Sequence, residues 1–452
     1  NINEILFSGN NYFPDQKIYD SIFKRKTSLN EFPEVMQNIL ELYTSNGFLF
    51  AEVSLDSLVR KKKSVDAYLK ISEGKFCEFD EFKFRGNKTT KENTLLRISY
   101  LNNVKLVTPH TLERSAENIR EKTYIKNCEI IPLNHHQLLF EIEEDRMSLI
   151  SGIIGYDNSK SSADKLTGYL NVDFLNLYGT DRSLSLFWQR ISSDRNSIEL
   201  SYHESGFYRY PICGDFLIFR EEVDSTYIKT TFDSNIYYFD MLNNYGLYYG
   251  MEDIFPGSRR PKIVEKYSFK KAGIFWKRNS LDYNMNPASG SASQIKYYNI
   301  FNKVENKNVS KQAVETSWSN YRKLTRTLVF AINLNANIIE NKDLTEFDSF
   351  DLGGNKNLRG FNEDQFSGFV VGWSNLELRY LLSRNSRAFI FCDYGYVENL
   401  NYSFGKLFGF GFGMRVETRL GILGIDYGFN YFDNKLRNPL DGIIHFGLET
   451  KL

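Results

Sequence analysis

The sequence predicts an α+β region of two β-α-α-β-β repeats followed by an all-β transmembrane barrel, with sixteen antiparallel strands as the expected number. Three observations carry this. A segment reading apolar-x-Glu-apolar-x-Phe-x-Gly-Asn occurs twice in the first third of the chain. From about Met147 helical periodicity gives way to alternating segments punctuated by Gly, Asn, Asp and Ser. Aromatic residues make up 15% of the chain, with 29 Tyr and 37 Phe. That load suits a barrel with two interfacial aromatic girdles better than a soluble enzyme.

The repeat is read first because it sets the architecture. Ile2 to Asn10 aligns with Phe79 to Asn87, each an alternating strand ending in a Gly-Asn turn. In the first copy Phe32, Val35, Met36, Ile39, Leu42 and Tyr43 recur at helical spacing, and Asn46-Gly47 ends that helix. Phe48 to Leu55 and Ser64 to Ile71 read as two strands, joined by the run Arg60-Lys61-Lys62-Lys63 as a solvated hairpin loop. In the second copy Thr108-Pro109 has the form of an N-cap followed by Pro at the first helical position, and Leu112, Ala116 and Ile119 form an apolar stripe. Strands near Glu129 to Ile131 and Gln137 to Ile142 end it. The expected domains are 1–75, 76–146 and 147–452.

In the last region Leu184, Leu186 and Trp188 alternate with Ser183, Ser185 and Phe187, and Leu328, Phe330, Ile332 and Leu334 alternate with Val329, Ala331, Asn333 and Asn335. At the C-terminus Ile444, Phe446, Leu448, Thr450 and Leu452 alternate with His445, Gly447, Glu449 and Lys451. Such a last strand must pair to close a barrel, because only closure satisfies every backbone group in lipid. The 306 residues from Met147 onward accommodate sixteen strands, and fourteen or eighteen fit the same arithmetic. A soluble sandwich of that size would be unusual, and a propeller would need a blade repeat that is absent.

Composition excludes other classes. Lys plus Arg and Asp plus Glu are both 56, so there is no basic excess for nucleic acid. Mean hydropathy is −0.42, and no run of eighteen apolar residues occurs, which argues against membrane helices. There is no G-x-S-x-G, P-loop or H-E-x-x-H, so no enzyme, cofactor or metal is expected. The five His are scattered, and His135 and His136 would point to opposite faces of a strand. Cys77, Cys128, Cys213 and Cys392 form no C-x-x-C pair. A Cys77–Cys128 bridge would need an oxidising compartment, and isolated, partly buried thiols are the favoured reading. The chain opens on a strand-like segment without a signal peptide, as a processed product would.

Within this frame the segment Phe350-Asp351-Leu352-Gly353-Gly354-Asn355-Lys356-Asn357-Leu358-Arg359-Gly360-Phe361 stands apart. Two further patterns follow it in order. Asn375, Glu377 and Arg379 share the polar face of an alternating segment, and Phe391-Cys392-Asp393-Tyr394-Gly395 reads F-x-D-x-G with Asp393 on its own face.

The repeats resemble polypeptide-transport-associated (POTRA) domains. The first copy carries Tyr43-Thr44-Ser45-Asn46-Gly47-Phe48 and Glu73-Gly74, which look like that domain's Y-x-x-x-G-[YF] and E-G features. The later motifs resemble the outer membrane protein 85 superfamily of BamA/TamA type. Asn176 to Thr180, Tyr210-Pro211 with Gly214, Asp282-Pro287-Gly290 and Gly411 through Tyr427 extend that resemblance over nearly the whole chain, although Leu452 stands where an aromatic terminal residue is usual.

The resemblance implies that a long extracellular loop folds back into the lumen. Arg359 would be its tip, flanked by Leu358, with Gly360 as the tight turn and Phe361 as the packing residue. Asp393 and Glu377 would be acidic partners on the inner wall. A guanidinium offers planar bidentate donors to carboxylates, and a charge held away from bulk water needs such partners.

The resemblance also implies an outer-membrane location with the N-terminal repeats in the periplasm. Its partners would be unfolded outer-membrane or secreted protein clients, outer-membrane lipid and, where present, periplasmic or lipoprotein accessory subunits. The first and last barrel strands would form a weak seam, with Gly152, Gly155, Gly447 and Phe446 at it. Assembly of other barrels is the leading function. A two-partner secretion transporter, passing an unfolded substrate through the lumen, and a non-transporting subunit of an envelope complex are the alternatives. No N-terminal plug helix of the secretion type is visible.

Overall fold

The computed structural model describes residues 2–22, 32–61, 65–156, 166–192, 195–207, 210–223, 226–240, 242–257, 266–304, 307–340, 343–345, 347–418 and 421–449. It divides into two compact units, Asn1–Asp145 and Arg146–Leu452.

The first unit contains two copies of one motif. The first copy is β1 (Ile2–Ser8), α1 (Asp15–Ile22), α2 (Phe32–Thr44), β2 (Glu52–Arg60) and β3 (Val65–Ser72). Its sheet runs β1-β3-β2, with β1 parallel and β2 antiparallel to β3. Val35, Ile39 and Tyr43 line one face of α2 at helical spacing and bury against Ile5, Leu69 and Ile71. The two POTRA-like sequence features meet here. The Tyr43 hydroxyl donates to Glu73 at 2.9 Å, and the Tyr12 main-chain N–H donates to the same carboxylate at 2.7 Å.

The second copy is β4 (Glu81–Arg85), α3 (Glu92–Ser99), α4 (Pro109–Arg120), β5 (Ile125–Pro132) and β6 (Gln137–Glu144), with sheet order β4-β6-β5. Thr108 caps α4. Its hydroxyl accepts from the Thr111 N–H, the Thr111 hydroxyl accepts from the Thr108 N–H, and Pro109 opens the helix.

Several expected boundaries shift. The strand placed at Phe48 to Leu55 begins at Glu52 instead and runs through Arg60. Phe48 and Ala51 are buried by side-chain packing, with Phe48 against the Tyr43 and Phe76 rings, so their apolarity did not signal a strand. Arg60 pairs with Val65, so only the remainder of the basic run lies beyond the strand, and Lys62, Lys63 and Ser64 fall outside the described residues. Both final strands of the second copy extend further than the alternation indicated.

The four cysteines are free. Burial pushes the Cys128 thiol up to about 12 and raises that of Cys77, so both behave as small apolar core groups rather than reactive thiols.

The second unit is a closed barrel. Its long strands begin with β7 (Ser148–Tyr156), β8 (Leu166–Leu177), β9 (Arg182–Ser192), β10 (Arg195–Glu204), β11 (Ile212–Val223), β12 (Tyr227–Phe239), β13 (Asn243–Pro256) and β14 (Tyr267–Asn279). They continue with β15 (Gly290–Val304), β16 (Lys307–Lys323) and β17 (Leu328–Ile339). A short hairpin, β18 (Phe350–Leu352) and β19 (Phe366–Gly368), then interrupts the wall. The wall resumes with β20 (Val370–Leu381), β21 (Arg387–Glu398), β22 (Ser403–Thr418) and β23 (Gly421–Phe432), and after a two-residue β24 (Lys435–Leu436) ends with β25 (Ile443–Glu449). Sixteen long strands thus form the wall among the described residues, with β25 beside β7 in the strand order.

Burial follows the expected alternation. Phe330, Leu334 and Ile338 face outward while Val329, Ala331 and Ile339 are buried on the lumen side. Leu376, Leu378 and Tyr380 are exposed while Asn375, Glu377 and Arg379 are buried. Outward apolar and inward polar residues are the arrangement a lipid-embedded barrel requires. In the last described strand Ile444 faces outward and His445 inward. Thr450, Lys451 and Leu452 lie outside the described residues.

Candidate functional site: a loop seated in the lumen

Between β17 and β20 the chain leaves the wall for thirty residues, 340–369, and folds inward over β20 to β23. The β18–β19 hairpin is its stem, and Gly353 to Gln365 are its tip. Arg359 is 4% exposed. Its Nε and main-chain N–H both donate to Asp393 Oδ2, at 2.8 and 3.0 Å, and its Nη2 donates to Asp393 Oδ1 at 2.7 Å. Its Nη1 donates to Glu377 Oε1 at 2.7 Å. Asp393 is fully buried and Glu377 is 7% exposed.

The guanidinium carbon of Arg359 lies over the Phe391 ring, 3.8 Å from its centroid. Arg379 donates to the other Glu377 oxygen at 2.6 Å. Asp393 of β21, Arg359 of the loop tip, and Glu377 and Arg379 of β20 therefore form one chain of alternating charges. Buried charges of this kind persist only when paired and hydrogen-bonded, and here each finds such partners.

The chain direction at the tip depends on glycine. Gly360 has φ +87°, in the left-handed region, and a Cβ there would lie 2.8 Å from the Phe429 carbonyl. The wall makes matching room. A Cβ at Gly409 of β22 would meet the Arg359 carbonyl at 2.0 Å, and one at Gly428 of β23 would meet the Gly360 nitrogen at 2.8 Å. Two side-chain amides of the wall bind tip carbonyls, Asn375 Nδ2 to Asn357 at 2.8 Å and Asn430 Nδ2 to Gly360 at 2.5 Å.

Leu358 and Phe361 are fully buried in an apolar cluster with Leu352, Phe366, Val371, Val397 and Leu407. The Phe361 ring packs edge-on against Phe366 and Phe432. Beyond the tip, Glu363 accepts from the Asn355 N–H at 2.8 Å, and its carboxylate lies 3.8 Å from Nδ1 of His445 on β25.

The base of the loop is fixed separately. Lys311 of β16 is fully buried and forms an ion pair with Asp348, which also accepts from the Thr345 N–H and hydroxyl at 2.7 Å each. Phe347 and Phe350 pack on the lumenal aromatic cluster around Tyr248, Phe269 and Tyr298.

The structure thus brings Leu358, Arg359, Gly360, Phe361, Asp393 and Glu377 together in one place. The residues expected at a seam lie apart from this loop, on the first and last long strands of the wall. Gly152 and Gly155 are on β7, paired with Leu170 and Thr167 of β8. A Cβ at Gly152 would meet the Tyr169 carbonyl at 2.7 Å, so the space glycine leaves there admits β8. Phe446 and Gly447 are on β25, paired with Ile425 and Gly424 of β23, and the Phe446 side chain lies outside the described residues. Sequence reasoning did not find Gly409, Gly428, Asn430, Asn375, Phe391 or the Lys311–Asp348 pair as loop contacts. Gly409, Gly428, Asn430 and Lys311 read as ordinary barrel residues until the loop is placed against them. No group of side chains suited to a metal ion occurs among the described residues.

A closed barrel with a lumen-seated loop, preceded by two small β-α-α-β-β units, defines an outer-membrane β-barrel protein whose N-terminal units lie in the periplasm. A family model for the Omp85 superfamily domain matches residues 176–451, and one for a POTRA surface antigen repeat matches residues 1–74. The chain belongs to the Omp85 superfamily. Its fold is similar to that of BamA from Haemophilus ducreyi lacking POTRA domains 1–3, with 18% identity over 99% of both chains and a TM-score of 0.55. It is also similar to CdiB from Escherichia coli, with 14% identity, 98% of this chain, 89% of that chain and a TM-score of 0.56. CdiB from Acinetobacter baumannii matches with 14% identity, 95% and 86% coverage and a TM-score of 0.54. At these identities the likeness concerns the fold. No curated protein sequence matches the chain. Family members are protein transporters or assembly factors rather than enzymes, and they handle protein clients.

Proposed function

We propose that this protein assembles or inserts other outer-membrane proteins, engaging unfolded clients through its periplasmic units and through a lateral seam between β7 and β25. The carrying observation is mechanical. The loop tip ties β20, β21, β22 and β23 together through Glu377, Asp393, Gly409 and Asn430, which stiffens the wall up to the strand before the last. β25 stands beside β7 in the strand order, so the wall closes between its first and last long strands. That closure lies outside the strands the loop ties together, and it is there that the wall parts.

An opened β7 edge offers unpaired N–H and C=O groups that an incoming client strand satisfies with little demand on its sequence. No nucleotide is required, because a barrel that closes in lipid satisfies its own backbone. The periplasmic units offer a second strand edge. β2 borders its sheet and exposes Leu55, Leu58 and Val59. The Arg359 lock keeps the wall in register while the seam works.

The test is depletion of the protein followed by a census of outer-membrane and secreted proteins, with complementation by Arg359→Ala. The proposal expects a broad fall in folded barrel proteins that the variant restores poorly. Loss of one large secreted substrate with barrel proteins unchanged would move the assignment to the two-partner secretion class. No change in either would leave a structural subunit, to be traced by pull-down from membranes.

A further inference from the structure

The turn between β14 and β15 is held by residues a hundred positions away in sequence. Strand alternation from β7, which follows the periplasmic units, places residues 280–289 at the periplasmic end of the barrel, opposite the Arg359 loop. This turn is longer than a tight hairpin needs, and it is internally braced. The Asp282 carboxylate accepts from the Ala288 and Ser289 N–H groups at 2.9 and 3.1 Å and from the Ser289 hydroxyl at 3.0 Å.

Thus held, the turn reaches past the β16–β17 hairpin to the turn between β20 and β21. The Tyr283 hydroxyl donates to Asn385 Oδ1 at 2.6 Å, and Asn286 Nδ2 donates to the Arg384 carbonyl at 3.2 Å. Arg384 lies over the Tyr283 ring at 4.6 Å, and Arg387 Nη1 donates to the Met285 carbonyl at 3.2 Å. Leu281, Asn286 and Ala288 are buried.

Arg387 fixes where the turn lies. It occupies the same inner face of β21 as Phe389, Phe391 and Asp393, two residues apart in sequence. A segment whose main chain accepts from a lumen-facing arginine lies in the mouth of the lumen rather than outside the rim. The Phe389 ring is shared, with Arg387 5.9 Å and Arg359 5.5 Å from its centroid. The loop and the turn therefore both seat on one strand.

We infer that residues 280–289 are a strap across the periplasmic mouth of the barrel, held shut by Tyr283–Asn385, Asn286–Arg384 and Arg387–Met285. Ions or an unfolded chain pass through the lumen only when the strap lifts. The inference is independent of the seam, because a lateral route leaves the strap in place.

The test is potassium chloride conductance of the full-length protein in planar bilayers, for Tyr283→Phe, Asn286→Ala and the double variant. Each variant leaves the Asp282 brace intact, and heat-modifiable gel mobility verifies a folded barrel. Open-state occupancy should rise by roughly fivefold for each hydrogen bond lost, and more in the double variant. Hydrogen exchange at residues 283–289 should quicken in parallel. Folded variants with wild-type conductance and wild-type exchange overturn the strap. Client assembly is measured separately, so failure of the strap and failure of the insertion reading give different results.

Discussion

Replacing Arg359 by alanine removes three side-chain hydrogen bonds to carboxylates, at 2.8, 2.7 and 2.7 Å, and the stack on Phe391. It leaves Asp393 buried with only the main-chain N–H of residue 359 from the tip, while Glu377 keeps Arg379. Breaking a buried pair by deleting one partner costs about 3–5 kcal/mol, because the remaining charge stays desolvated. Spread over the equilibrium between seated and unseated loop, that is a shift of roughly 150- to 5000-fold. Hydrogen exchange and limited proteolysis across residues 353–368 read it directly, and heat-modifiable mobility reads the barrel. Arg359→Lys keeps the charge but loses the planar fork, so it should fall between wild type and alanine. Arg359→Ala combined with Asp393→Ala should cost less than the two singly summed, because the double variant no longer strands a buried carboxylate. Protection of the tip at wild-type level in Arg359→Ala would refute the reasoning, since the loop would then be held by its apolar cluster alone.

Gly409→Ala should unseat the tip without touching any charge, because its Cβ would meet the Arg359 carbonyl at 2.0 Å; exchange at residues 357–361 should rise as it does in Arg359→Ala. Lys311→Ala strands Asp348 at the base of the loop and should cost about 3–5 kcal/mol in barrel stability, with Lys311→Ala plus Asp348→Ala recovering part of it in urea unfolding. In the periplasmic unit, burial raises the Glu144 carboxyl, but hydrogen bonds from the Thr90 side chain and the N–H groups of Thr90, Thr89 and Lys88 outweigh it and hold it below the ordinary glutamate value. Its stabilisation is therefore complete above a pH of about 4.3 and disappears as pH falls through the lowered folded value. Glu144→Gln should quicken amide exchange at residues 88–90 at neutral pH, and the difference from wild type should vanish in acid.

The loop and strap change the view of the lumen. Leu358, Phe361 and Phe366 are buried in an apolar cluster on the extracellular side, and Asn286 and Ala288 are buried at the periplasmic mouth. The loop thus occupies the barrel interior from one end, and the inferred strap lies at the opposite mouth.

Local periodicity made most of this architecture legible. A period of two with outward Leu, Phe and Ile is a property of each strand separately, so the alternation at Leu328 to Asn335 could be read without knowing its neighbours. The repeated Gly-Asn strand ending and the Thr108-Pro109 cap are equally local. Arg359 with Asp393 and Glu377 could be named because each sits in a short motif. Their wider setting could not. Gly409, Gly428 and Asn430 become loop contacts only because a segment some fifty to seventy residues earlier lands on them, and Met285 meets Arg387 across 102 positions of sequence. Sequence fixes which face a side chain takes, because that depends on adjacent residues. Which distant segment it then meets depends on barrel closure and loop path, and those exist only once every strand has found its neighbour.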